Sequence, residues 1–161
     1  MSEENQQFAI QKIYLKDVSF ESPNSPQAFT DGEWKPQINV QINSSHQAIA
    51  DDTYEVLLNI TVTAKHNENT AFLVEVKQAG IFTLSGFPEE NLGGMLGAYC
   101  PETLFPYARE AISEFISKGG FPQLLLAPVN FNALYSQQMQ QQSAAQSGAK
   151  SEAQADKGAT H

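Results

Sequence analysis

The feature that most constrains this chain is a change of period. Through roughly the first half, apolar side chains recur at every second position, whereas in the second half they recur every three or four. Strands place alternate residues on one face, and helices place residues three and four apart on one face. The chain must therefore combine a sheet with later helices.

In PQINVQINS, Ile38, Val40 and Ile42 alternate with Gln37, Asn39, Gln41 and Asn43, as in a strand with one dry and one wet face. YEVLLNITVTAK puts Val56, Leu58, Ile60 and Val62 on one face, and in TAFLVEVKQAGIFTLSG Phe72, Val74 and Val76 oppose Leu73, Glu75 and Lys77. FAIQKIYLKDVSF, residues 8–20, gives a first strand with an irregularity near Lys12. SSHQAIADD and HNEN are expected as turns. Between the first two strands, ESPNSPQAFTDGEWKPQ is punctuated by Pro23, Pro26, Gly32 and Pro36, and reads as a long connection carrying Phe29 and Trp34. Short turns between the later strands favour antiparallel pairing.

In PETLFPYAREAISEFISKGG, Leu104, Ala108, Ala111, Ile112 and Phe115 fall at helical spacing. Pro106 is expected in the first turn of a helix from about Phe105 to Lys118, with Gly119 as its stop. FPQLLLAPV reads as an extended apolar linker. Asn130 can cap a last helix from Phe131 to about Gln142, with Val129 and Leu134 as its hydrophobic staple. The expected fold is α+β: a four-stranded antiparallel sheet with a long crossover connection and two C-terminal helices packed on one side. Residues 1–7 are expected as a flexible N-terminus, 8–142 as one domain and 143–161 as a disordered tail.

Several functions lack their residues. His46 and His66 fall in expected turns and His161 at the end, with no spacing for a metal site, so all three read as surface residues. Cys100 cannot form an internal disulfide, which fits a reducing compartment, and burial is its expected role. NLGGMLGAYC has no phosphate-loop order and reads as a bend with close backbone packing. Asp51-Asp52 and Glu89-Glu90 look like solvated turn acids. No enzyme, cofactor or metal is indicated. The net charge of -9 makes nucleic acid a poor partner and a basic protein a plausible one. MSEENQQ has no signal-peptide character, and no apolar run approaches roughly 18 residues, so a cytoplasmic location without membrane insertion is expected.

What remains is a surplus of apolar surface. Both faces of the fourth strand are largely apolar, and helices on one side can cover only one of them. The face with Phe72, Val74, Val76 and Gln78 is a candidate oligomer interface, the other reading being packing within the chain. Phe29 and Trp34, with Phe131, Leu134, Tyr135 and Met139 of the last helix, either wall an apolar groove or form an ordinary core stripe.

The runs LGAYCPETLFPYAREAI and KGGFPQLLLAPVNFNALY closely resemble the signature region of the SecB family, as do IYLKDVSFESPN, DDTYEVLLNITVTA and AFLVEVKQAGIF. The resemblance covers residues 8–142. It implies an ATP-independent chaperone that keeps unfolded secretory precursors competent for translocation, assembled as a homotetramer, a dimer of dimers. By position, Phe29, Trp34, Val40, Ile42, Phe131, Leu134, Tyr135 and Met139 would contact client. Phe105, Ala108, Ile112 and Phe115 would serve assembly. Asp17, Glu21, Leu73 and Glu75 would bind the translocation ATPase SecA, whose own segment carries any zinc. The stretch GFPEENLGGM departs from the family pattern, and the tail is neutral where family tails are often acidic. A small α+β binding domain for an apolar ligand or a single folded partner is the alternative.

Overall fold

The computed structural model describes residues 5–155, with side chains through Gly148. The ends of the expected N-terminus and tail, residues 1–4 and 156–161, lie outside the described residues. Four strands, β1 (Gln7–Glu21), β2 (Gln37–Ala50), β3 (Thr53–His66) and β4 (Asn69–Ser85), form an antiparallel sheet in the order β1-β4-β3-β2. The long connection therefore runs from one edge of the sheet to the other, and β1 and β2 are both edges.

Alternation sets the core. Val56, Leu58, Ile60, Val62 and Ala64 of β3 are fully buried, and in the paired register of β4 so are Val74, Val76 and Phe82. They meet a helical stretch made of α1 (Glu89–Gly94), a π-helical turn (Met95–Tyr99) and α2 (Cys100–Lys118), with α2 lying across β4 and β3. Leu104, Ala108, Ile112 and Ile116 of α2 are fully buried. α3 (Phe131–Ala155) follows the linker.

Several expectations are corrected. Phe72, Val74, Val76 and Gln78 are not free for an interface: α2 covers this face, and the Gln78 amide donates to the Tyr14 carbonyl at 3.0 Å. The opposite face of β4, with Leu73, Glu75 and Lys77, is the open one. Sequence alone could not assign the faces, because both carry apolar residues. Phe105, Ala108 and Ile112 are likewise buried in the chain, and only Phe115 of that set keeps accessible surface. β2 continues through SSHQAIA, and the turn shrinks to Asp51-Asp52, with Asp52 at φ 54°. The helix starts near Glu89, not Phe105, so Pro106 is interior and Glu89-Glu90 form the first turn of α1. Pro106 is tolerated because it and Glu102, whose carbonyl loses its donor, are both exposed to water. The glycine run is thus helical and not bent. α3 passes Gln142 to Ala155, since Gln and Ala are good helix formers and no breaker intervenes before Gly148.

Other details match. The β1–β4 register shifts between Ile10 and Lys12, and again between Leu15 and Asp17. Asn67 and Glu68 both have positive φ, as a two-residue hairpin turn requires. The Ala133 amide donates to Asn130 Oδ1 at 3.0 Å, the expected cap.

Candidate functional site

Edge strand β2 carries the candidate site. Ile38, Val40 and Ile42 face the helix side of the sheet, paired with Ala64, Val62 and Ile60. Their neighbours on β3 lie under α2, but β2 lies beyond that cover: Ile38 and Val40 are 37% and 38% exposed, and Ile42 is half-buried. Four residues of strand place these side chains along about 13 Å of open apolar floor.

One end is walled by the crossover. A single turn at Gln27–Phe29 is tied to the sheet by Asn24, whose amide donates to the Thr70 carbonyl at 2.8 Å. Phe29 lies over Phe121 (ring centroids 4.9 Å apart), Trp34 lies against Phe121 (5.4 Å) and His66 (5.1 Å), and Phe121 continues inward to Phe72 (5.0 Å). Such ring pairs hold position through edge and face complementarity. His66 is a correction: it is 4% exposed, and its Nε2 is 2.9 Å from the Asp31 carbonyl. A carbonyl only accepts, so Nε2 carries the proton and donates. Asn67 donates to the same carbonyl at 2.8 Å. Phe29 remains half exposed and Trp34 partly so.

The other end is walled by α3. Ile42, Phe131, Leu134, Tyr135, Gln138 and Gly97 line one small pocket. Phe131 is buried against Phe105 (5.6 Å), so it supports the wall from behind, whereas Met139, one turn further along, is 49% exposed. The structure thus brings Ile42, Phe131, Leu134 and Tyr135 together, puts Val40 on the same strand face, and sets Phe29 and Trp34 in the crossover.

Two groove residues escaped the sequence reading. Ile38 shares the alternation of Val40 and Ile42, so its signal was present. Phe121 was hidden in the linker, where an aromatic between Gly120 and Pro122 was the available clue.

On the open face, β1 and β4 bring a second set together. Glu21 pairs with Leu73, Ser19 with Glu75 and Asp17 with Lys77, so Asp17, Glu21, Leu73 and Glu75 all share that face. Glu75 accepts from the Thr61 hydroxyl at 3.2 Å and lies 3.9 Å from the Lys77 ammonium. The patch is acidic around one leucine.

Cys100 is fully buried, and burial pushes its thiol up to about 12, far from a reactive thiolate. Among the described residues no three His, Cys, Asp or Glu side chains gather as metal ligands. No described helix is long and apolar enough to cross a membrane.

Comparison with known proteins shows what the chain is similar to. The family described as preprotein translocase subunit SecB matches residues 1–142. The protein-export protein SecB of Nitrosococcus oceani is 60% identical over 147 residues, covering 89% of this chain and 90% of that one. That of Thioalkalivibrio sulfidiphilus is 57% identical over 156 residues, covering 96% and 90%. A solved SecB-like chaperone of Mycobacterium tuberculosis, in complex with an antitoxin peptide, superposes with a TM-score of 0.63 at 16% identity, covering 78% of this chain and 91% of that one, which speaks for the fold. The chain belongs to the SecB family and is a protein-export chaperone.

Proposed function

We propose that this chain, acting in the cytoplasm, captures non-native secretory precursors along the β2 groove, without nucleotide, and presents them to SecA. The observation that carries the reading is the open apolar floor of Ile38, Val40 and Ile42 between an aromatic crossover and α3. Phe29, Trp34, Val40, Ile42, Leu134 and Met139 contact client, and Phe131 and Tyr135 back them. Burial contributes about 25 cal/mol per Å² of apolar surface whatever the sequence, so an unfolded chain is selected by its exposed residues and not by a motif. A folded protein buries the same residues and escapes.

Assembly as a homotetramer would multiply the grooves and let one client engage several at once. The surface that supports it is the free edge of β1, where Ile10 and Leu15 are 46% and 49% exposed, and the cleft between β1 and α2 lined by Ile13, Leu15, Tyr107 and Glu114. An exposed edge strand with apolar side chains calls for a partner. The acidic open face, with Asp17, Glu21, Leu73 and Glu75, is complementary to a basic segment of SecA.

The test mixes the purified protein, without nucleotide, with a denatured slow-folding precursor on dilution. Refolding is followed alongside light scattering of the eluted species. Arrested refolding and a mass of tetramer plus client are expected. Unchanged refolding by a monomer would reject both the holdase and its assembly, and would favour a small-ligand domain.

A further inference from the structure

Among the described side chains of α3, those that are buried or half-buried lie in its first turns. Phe131 is buried, Leu134 and Tyr135 are half-buried, and every residue from Ser136 to Gly148 is exposed. The Tyr135 ring lies directly on the helical stretch that precedes α2. A Cβ placed on Gly97 would stand 2.4 Å from Cδ2 and 2.5 Å from Cε2 of Tyr135, and one on Gly93 would stand 2.8 Å from the Tyr135 hydroxyl oxygen. Real Cβ atoms essentially never approach below 3.0 Å, so both positions admit only glycine while Tyr135 keeps its place.

The backbone does not ask for glycine here. Neither residue is among the positive-φ positions, and glycine is disfavoured inside helices. The two lie four residues apart, on one side of a helix, and Gly97 falls within the π-helical turn Met95–Tyr99. Such turns are rare and cluster at functional sites. Their removal of side chain at two successive turns leaves a notch with the shape of one aromatic ring.

We propose that Gly93 and Gly97 are the seat of Tyr135, and that this seat sets the stance of α3 against β2 and so the opening of the groove. The inference rests on the groove reading above and gives Tyr135 another role within it: a positioning residue whose ring holds the wall that Leu134 and Met139 present. From Ser136 to Gly148 the side chains of α3 are exposed, so the wall turns about this seat, and a change at the seat alters how clients are held without touching the β2 floor.

The experiment compares Gly97→Ala, Tyr135→Leu, Tyr135→Phe and the double variant Gly97→Ala/Tyr135→Leu. Amide hydrogen exchange is measured without client, and release of a bound precursor with it. In Gly97→Ala and in Tyr135→Leu, exchange in α3 rises by about tenfold while β3 and β4 are unchanged, and client release quickens by a similar factor. Tyr135→Phe keeps the ring and leaves exchange in α3 at the level of the parent protein. The double variant is no worse than either single change, because both remove one contact. Unchanged α3 exchange in Gly97→Ala and Tyr135→Leu, or losses that add in the double variant, would overturn the seat. A parent protein that captures no client fails the groove reading instead, and the exchange measurement still decides the seat. Tyr135→Leu, on a half-exposed helix face, secures the test should Gly97→Ala not fold.

Discussion

On the open face of the sheet, the Glu55 carboxylate of β3 receives hydrogen bonds from Tyr14, from Lys16 at 2.9 Å and from Gln47 at 3.1 Å. Tyr14 and Lys16 belong to β1, which is not a neighbour of β3, so this side chain reaches across β4 and ties three strands. The Tyr14 bond, followed by Lys16, holds Glu55 below the ordinary carboxylate range, while the same bond pushes the Tyr14 hydroxyl up to about 12. The Glu55 share of stability is present above its ordinary 4.5 and is lost as pH falls through the lower folded value. The Tyr14 share is present below 10.0 and is lost as pH rises towards 12. Tyr14→Phe is therefore expected to lose about 1–2 kcal/mol in urea unfolding at neutral pH. The gap to the parent protein should narrow at both extremes; a gap of constant size would contradict the bond and point to ring packing.

Among the elements, α3 depends most on its ends, since little of it packs on the body. Asn130→Ala removes the acceptor for the Ala133 amide and should reduce stability by about 1 kcal/mol, visible as lost helicity on heating; unchanged melting would show that packing of Phe131 alone starts the helix. The cap was legible because Asn130 stands between Pro128 and an apolar run. The bulge near Lys12 was legible because it breaks an otherwise regular alternation. The second half of β2 was not: an edge strand beyond the cover of α2 has no dry face there, so SSHQAIA shows no period to read. The true start of the long helix was masked by three glycines and two prolines that usually end helices; for Gly93 and Gly97 the reason lies in the close approach of Tyr135. Of the groove, Val40 and Ile42 could be seen in the pattern, whereas the partnership of Trp34 with His66 and Phe121 joins segments far apart in sequence. Which face of β4 is covered could not be read either, since both of its faces carry apolar residues.

At the scale of the whole molecule, the proposed function divides two tasks between the two sides of one sheet. The helix side holds the core and, past its edge, the groove; the open side presents Asp17, Glu21, Leu73 and Glu75. Separate faces allow separate loss. Glu75→Lys is expected to weaken SecA binding in calorimetry while client capture is kept; equal SecA affinity for both proteins would remove the acidic face from the account. Loss of both functions together would mean that the change had damaged the sheet. The most direct measurement of the groove itself uses the strand's own alternation. A photo-cross-linking side chain is placed in turn at Ile38, Val40, Asn39 and Gln41, and each protein is irradiated with a denatured precursor. Cross-links at Ile38 and Val40, with little at Asn39 and Gln41 on the opposite face, are the expected result. Equal yields at all four positions, or capture from Asn39 and Gln41 alone, would contradict a groove on the helix side of β2.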